Sequence, residues 1–84
     1  MQFLENEFLR VAINEFGAEL TSIVRKFDQS EYVWNADPAF WGKHAPLLFP
    51  IIGRLKDQEY TLDGTTYEIT RHGFARDKEF TVEQ

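Results

Sequence analysis

Apolar and polar residues alternate along much of the chain, and the alternation has a period of two. In Phe8-Leu9-Arg10-Val11-Ala12-Ile13, the residues Leu9, Val11 and Ile13 share one parity, with Arg10 and Ala12 between them. That pattern predicts a strand with one buried face. Asn14-Glu15-Phe16-Gly17 reads as a turn, with Gly17 free to take a positive φ. Ala18 to Phe27 resumes as a second strand, with Leu20, Ile23, Val24 and Phe27 apolar. The alternation breaks near Thr21-Ser22, which predicts a bulge or bend there; a helix over this segment is the competing reading.

Asp28-Gln29-Ser30 forms a polar turn before a short aromatic strand at Glu31-Tyr32-Val33-Trp34. Asn35 to Pro38 ends it with turn-forming residues. A dense apolar stretch then runs from Phe40-Trp41 to Ile52-Gly53, where Pro46 and Pro50 forbid a regular central strand or an unbroken helix. The sharpest local signal is Asp63-Gly64 between Tyr60-Thr61-Leu62 and Thr65-Thr66-Tyr67-Glu68-Ile69. It predicts a hairpin with a two-residue type I′ turn, Leu62 opposite Thr65 and Tyr60 opposite Tyr67. Tyr60, Leu62, Tyr67 and Ile69 then share a face that the pattern marks for burial. Phe80-Thr81-Val82 reads as a further strand with no turn or partner after it, which leaves an open sheet edge for self-association and predicts that residues 1–84 are part of a longer domain.

With 84 residues the chain is at most one domain, of a size that buries only about 60–65% of its unfolded surface. It has no cysteine and two histidines, too few ligands for a zinc site, so no disulfide or structural metal supports it. Aromatic residues make up 15% of the chain and by default fill a core. The absence of cysteine fits a cytoplasmic protein. No apolar run approaches the roughly 20 residues of a membrane-spanning helix. A net charge of −5 argues against nucleic acid as a partner. The charge is uneven, however. Residues 1–42 hold seven acids and three bases, and residues 43–84 seven acids and six bases, so a site for an oxygen-rich ligand belongs in the second half.

The candidate chemistry lies there too. His72 follows a predicted strand, precedes Gly73, and stands between Arg71 and Arg76. Those cations favour neutral imidazole, which both donates and accepts a hydrogen bond and so suits a sugar hydroxyl. A structural or solvent-exposed histidine is the plainer reading. Arg54 is delivered by the apolar run, which predicts a half-buried guanidinium holding either a carboxylate of the protein or the oxygens of a ligand. Trp34, Phe40, Trp41, Phe49 and Phe74 are core candidates, one or two of which could serve as a platform for the C–H face of a sugar. His44 has no evident role. A phosphate-binding glycine loop, a nucleophile elbow and a His/carboxylate metal cluster are all missing from the sequence.

Taken together, "FWGKHAPLLFPIIGRL", "YTLDGTTYEI" and "RHGFARDKEF" resemble the N-terminal part of the aldose 1-epimerase (galactose mutarotase) family, in its LacX-like branch. "NEFLRVAINEFGAELTSIVRK" and "EYVWNADPAFW" fit the same pattern in the same order. The resemblance implies an all-β antiparallel sandwich, the galactose mutarotase-like supersandwich, of which residues 1–84 form about the N-terminal third. It implies a cofactor-free isomerase that interconverts the α and β anomers of an aldose by opening and reclosing the sugar ring. Arg54 then corresponds to a substrate-binding arginine, and His72 to an active-site histidine that stabilises charge near the ring oxygen. The general acid and general base come from strands outside these residues, so the isolated chain should be inactive. Gly53-Arg54 stands where better-known mutarotases carry Asn-Arg, and His72-Gly73-Phe74 where they carry His-Gly-Gly, which leaves the sugar open. "HGFAR" also occurs in the related hexose-6-phosphate mutarotases, where Arg76 could meet a phosphate. A carbohydrate-binding module without catalysis and a small interaction domain are the readings from other classes.

Overall fold

Residues 1–83 are described by a computed structural model, and they are all-β. Four strands, β1 (Gln2–Glu5), β2 (Leu9–Asn14), β3 (Glu19–Arg25) and β4 (Ser30–Glu31), form an antiparallel sheet in sequence order. A second antiparallel pair, β5 (Glu59–Leu62) and β6 (Thr65–Glu68), forms the hairpin. Short 3-10 turns lie at Lys56–Gln58 and Ala75–Asp77.

The strand β3 settles the competing helical reading of Ala18–Phe27. Pairing with β2 runs from Leu9↔Arg25 to Ala12↔Ser22, then shifts to Ile13↔Leu20. Thr21 is therefore the extra residue of a bulge, and its hydroxyl donates to the Ala12 carbonyl at 3.2 Å. The hairpin has its predicted register, with Tyr60 opposite Tyr67 and Leu62 opposite Thr65. Asp63 and Gly64 take φ of 50° and 78°, as a type I′ turn requires. Tyr60 and Tyr67 stack with ring centroids 5.3 Å apart.

One strand carried no signal in the sequence, and two expectations need correction. The first strand, β1, has no period-two signal of its own: Phe3 and Leu4 are adjacent, and pairing to β2 holds it instead. The strand expected over Glu31–Trp34 shrinks to Ser30–Glu31, because Tyr32 closes with the Ile23 carbonyl and the chain then leaves the sheet. Phe80–Val82 is not a strand at all. It is tied to the turn between β2 and β3, through the Phe16↔Glu79 bridge and a bond from the Phe80 N–H to the Glu15 carbonyl (2.9 Å). The strand edge predicted there is absent.

Burial departs further from the sequence pattern. Among the described residues the buried apolar side chains are Ala12, Ile69 and Ala75, and none is fully enclosed. Phe40, Phe49, Leu62 and Ile52 are exposed, and so are Tyr60 and Tyr67 on the hairpin face marked for burial. A single sheet cannot enclose its own apolar face, which needs a second layer packed against it. The overall dimensions agree. The Cα radius of gyration is 16.6 Å, against about 12 Å for a compact chain of this length. The accessible surface is 6727 Å², against about 5,200 Å² expected at this mass.

Ion pairs fasten the rim of the larger sheet. The N-terminal ammonium and the Gln2 amide both bond Glu15, and together they hold its carboxyl down at about 2. Arg25 bonds Asp28 and Lys26 bonds Glu5, each lowering the carboxyl it meets. All are solvent-exposed pairs, of the kind that contribute little individually.

Candidate functional site

The site is a corner where the segment Phe49–Gly53 meets the segment Thr70–Arg76. Phe49 donates its N–H to the His72 carbonyl at 3.1 Å, and its own carbonyl accepts from Phe74 (2.9 Å) and Ala75 (3.1 Å). Four residues further on, His72 donates its N–H to the Gly53 carbonyl at 2.6 Å. Gly53 returns a bond from its N–H to His72 Nδ1 at 2.8 Å. The Phe49–Pro50 peptide is cis within this corner.

Gly73 makes the crossing possible. Its φ is +75°, and a Cβ there would lie 2.2 Å from the Phe49 carbonyl oxygen. His72 itself sits at φ +64°, a left-handed conformation uncommon for a ring-bearing side chain. The bonds to Gly53 and Phe49 hold it there.

An open hollow of about 460 Å³ lies against this corner, lined by Trp41, Pro46, Leu48, Arg71, His72 and Arg76. Trp41, Pro46 and Leu48 are the apolar residues of this lining, and Arg71, His72 and Arg76 the nitrogen-bearing ones. Arg76 is partly anchored, its Nη2 donating to the Arg71 carbonyl at 3.1 Å. Trp41 is positioned by its backbone: its carbonyl accepts from Trp34 Nε1 at 2.8 Å, and its N–H donates to the Asp37 carbonyl at 2.9 Å. The approach loop is pinned from below, where Glu19 accepts the His44 N–H at 3.3 Å and lies 3.6 Å from His44 Nδ1. His44, which has no role in the sequence reading, thus fixes the loop that carries Trp41 and Pro46.

His72 and Arg76 therefore share a hollow, and Arg71 joins them. Arg54 is not on its lining. It follows directly after Gly53, the residue that grips His72, but its side chain is exposed and makes no hydrogen bond or ion pair with a described residue. The half-buried, partnered Arg54 expected from the apolar run is corrected on both counts: Ile51 and Ile52 do not enclose it, because the run crosses the surface instead of a core. Sequence reasoning missed the Gly53 amide as a partner of His72. The signal available was the pair of glycines, Gly53 and Gly73, at the two crossing points.

Among the described residues the hollow has donors and an apolar wall but no lining carboxylate. Such a surface can hold a polyol by its oxygens and stack its C–H face; it has no carboxylate to take a proton.

A family model for aldose 1-epimerase matches residues 2–84. The chain belongs to the aldose 1-epimerase family. It is 43% identical to the LacX proteins, plasmid and chromosomal, of Lactococcus lactis subsp. lactis, over 96% of this chain and 28% of theirs. Among solved structures, it superposes on a galactose mutarotase-like protein from Lactobacillus casei ATCC 334 with a TM-score of 0.94 and 48% identity. A galactose mutarotase related enzyme from Lactobacillus acidophilus gives a TM-score of 0.96 and 47% identity. Each superposition covers 99% of this chain and 28% of the other. This aldose 1-epimerase family chain therefore spans little more than a quarter of the length of its relatives, and its corner belongs to a galactose mutarotase-like fold.

Proposed function

We propose that residues 1–84 are the N-terminal part of a mutarotase-like β-sandwich and supply the sugar-holding side of an aldose 1-epimerase site. The observation that carries this reading is the hollow whose lining combines the apolar residues Trp41, Pro46 and Leu48 with the nitrogen-bearing residues Arg71, His72 and Arg76. A pyranose has the same division, with C–H groups on its faces and oxygens around its rim. In this reading Trp41 takes a C–H face, while His72 and Arg76 donate to ring and hydroxyl oxygens. Arg54 follows Gly53 in the connecting segment, off the lining of the hollow, and makes no contact with the sugar. As the ring opens, negative charge gathers on oxygen, and donors already in place stabilise it. The proton acceptor and the second proton carrier come from elsewhere in the sandwich. The exposed apolar side chains of the sheet and hairpin support that division, since a second layer would bury them.

The two guanidiniums on the lining support a second reading, in which the sugar carries a phosphate near Arg71 and Arg76.

A segment exchange tests the proposal. Residues 1–84 replace the matching segment of the Lactobacillus acidophilus enzyme, and the anomeric equilibration of fresh α-D-galactose is followed by polarimetry. The exchanged protein should accelerate equilibration, the 84-residue chain alone should not, and His72→Ala in the exchanged protein should slow it roughly a hundredfold. An exchanged protein indifferent to His72→Ala, or catalysis by the 84-residue chain alone, would refute the reading.

A further inference from the structure

We infer that the backbone amide of Gly53 is a positioning group that makes His72 a donor, and only a donor, toward whatever occupies the hollow. Three of the four polar atoms of His72 are already committed within the protein. Its N–H donates to the Gly53 carbonyl (2.6 Å), its carbonyl accepts from Phe49 (3.1 Å), and its Nδ1 accepts from Gly53 (2.8 Å). Only Nε2 remains. An imidazole nitrogen that accepts a hydrogen bond carries no proton, so in the neutral ring the proton sits on Nε2. Turning the ring over would set a C–H against the Gly53 amide and forfeit that bond, so the orientation is fixed along with the tautomer.

The geometry makes this arrangement hard to escape. Gly53 at φ +86° and His72 at φ +64° are both left-handed, and the two bonds between them run in opposite directions. Together they close a small ring of atoms where the two segments cross. A histidine that must accept a proton from a sugar hydroxyl needs a bare Nε2, which would require the proton on Nδ1 and the loss of the Gly53 bond. The group facing Nε2 must therefore be an oxygen with a free lone pair, a ring oxygen or a hydroxyl oxygen in its accepting role. This deepens the proposed function and rests on it for the identity of the ligand; the tautomer itself does not depend on that reading.

The experiment has two arms. In the sugar-free exchanged protein labelled with ¹⁵N, ring correlations of His72 at a pH where the imidazole is neutral should show an unprotonated Nδ1 and a protonated Nε2. A coupling across the hydrogen bond should link Nδ1 to the Gly53 amide nitrogen. A protonated Nδ1, or two tautomers in exchange without that coupling, overturns the inference. The second arm uses His72→Asn. Asparagine tolerates a positive φ, and its Oδ1 can accept the Gly53 N–H, but nothing replaces Nε2. The Gly53 amide should remain protected from hydrogen exchange while D-galactose affinity falls about tenfold, the effect of one lost hydrogen bond. Unchanged affinity in that variant with the tautomer as stated would defeat the sugar reading and leave the tautomer standing. A wrong tautomer with sugar binding intact would do the reverse.

Discussion

Gly73→Ala is expected to dismantle the His72 corner. Two costs combine. An L-residue forced to φ +75° loses about 1–2 kcal/mol. The new Cβ would also sit 2.2 Å from the carbonyl oxygen of Phe49, which cannot withdraw easily because it accepts from both Phe74 and Ala75. A total near 3 kcal/mol is reasonable for steric conflict of this kind. A domain of this size has only a few kcal/mol in hand. The amides of Gly53, Phe74 and Ala75 should lose their protection from hydrogen exchange, and the thermal transition should fall or vanish. Gly64→Ala is the control, since Gly64 has positive φ but open space around it. It should cost only about 1 kcal/mol. Equal effects from the two substitutions would show that the close crossing at Phe49 is not what Gly73 serves.

Gly17→Ala is the second large effect, and it acts on the hollow from behind. Gly17 has φ +75°, and a Cβ there would meet the Arg76 carbonyl oxygen at 2.6 Å. The Gly17 N–H also donates to the Lys78 carbonyl at 2.6 Å. The turn between β2 and β3 is thus clamped on the backbone of the residue whose guanidinium lines the hollow. Substitution should cost roughly 2–3 kcal/mol and release the 76–80 segment. Hydrogen exchange should show the Phe80 amide opening while the β2–β3 ladder stays protected. Ligand affinity should fall with it, because Arg76 loses its fixed position. A variant with Phe80 still protected would contradict the clamp.

Local chemistry was the legible part of this sequence. Asp63-Gly64 announced its own turn, and the alternation in Leu9–Ile13 announced a strand. The irregularity at Thr21-Ser22 became a bulge at Thr21. These features depend on residues close together in the chain. Burial was not legible, because it depends on what lies across the sheet. Tyr60 and Tyr67 alternate as a buried pair should, yet they stack in the open. Phe80–Val82 has strand composition but pairs with a turn instead of a strand, an outcome that no local preference could announce.

The site divides in the same way. The motif around His72 pointed to the family, and the structure brings Arg76 to the same hollow as His72. Arg54 lies off that hollow and exposed, in an environment the apolar run before it did not announce. The decisive partner of His72 is a backbone N–H nineteen residues away, and a backbone amide has no letter of its own in a sequence. Glycine is the nearest thing to a signature for such a contact, because it lets two strands of backbone approach closely.

The most direct test of the central claim, that a sugar lies between an imidazole donor and an indole face, is a D-galactose titration of the exchanged protein, which carries residues 1–84 in a complete sandwich, followed by ring NMR signals. His72 and Trp41 should shift together and saturate at one common concentration, while Tyr60 and Tyr67 on the hairpin stay still. Shifts confined to the hairpin, or none at His72 at any sugar concentration, would contradict it.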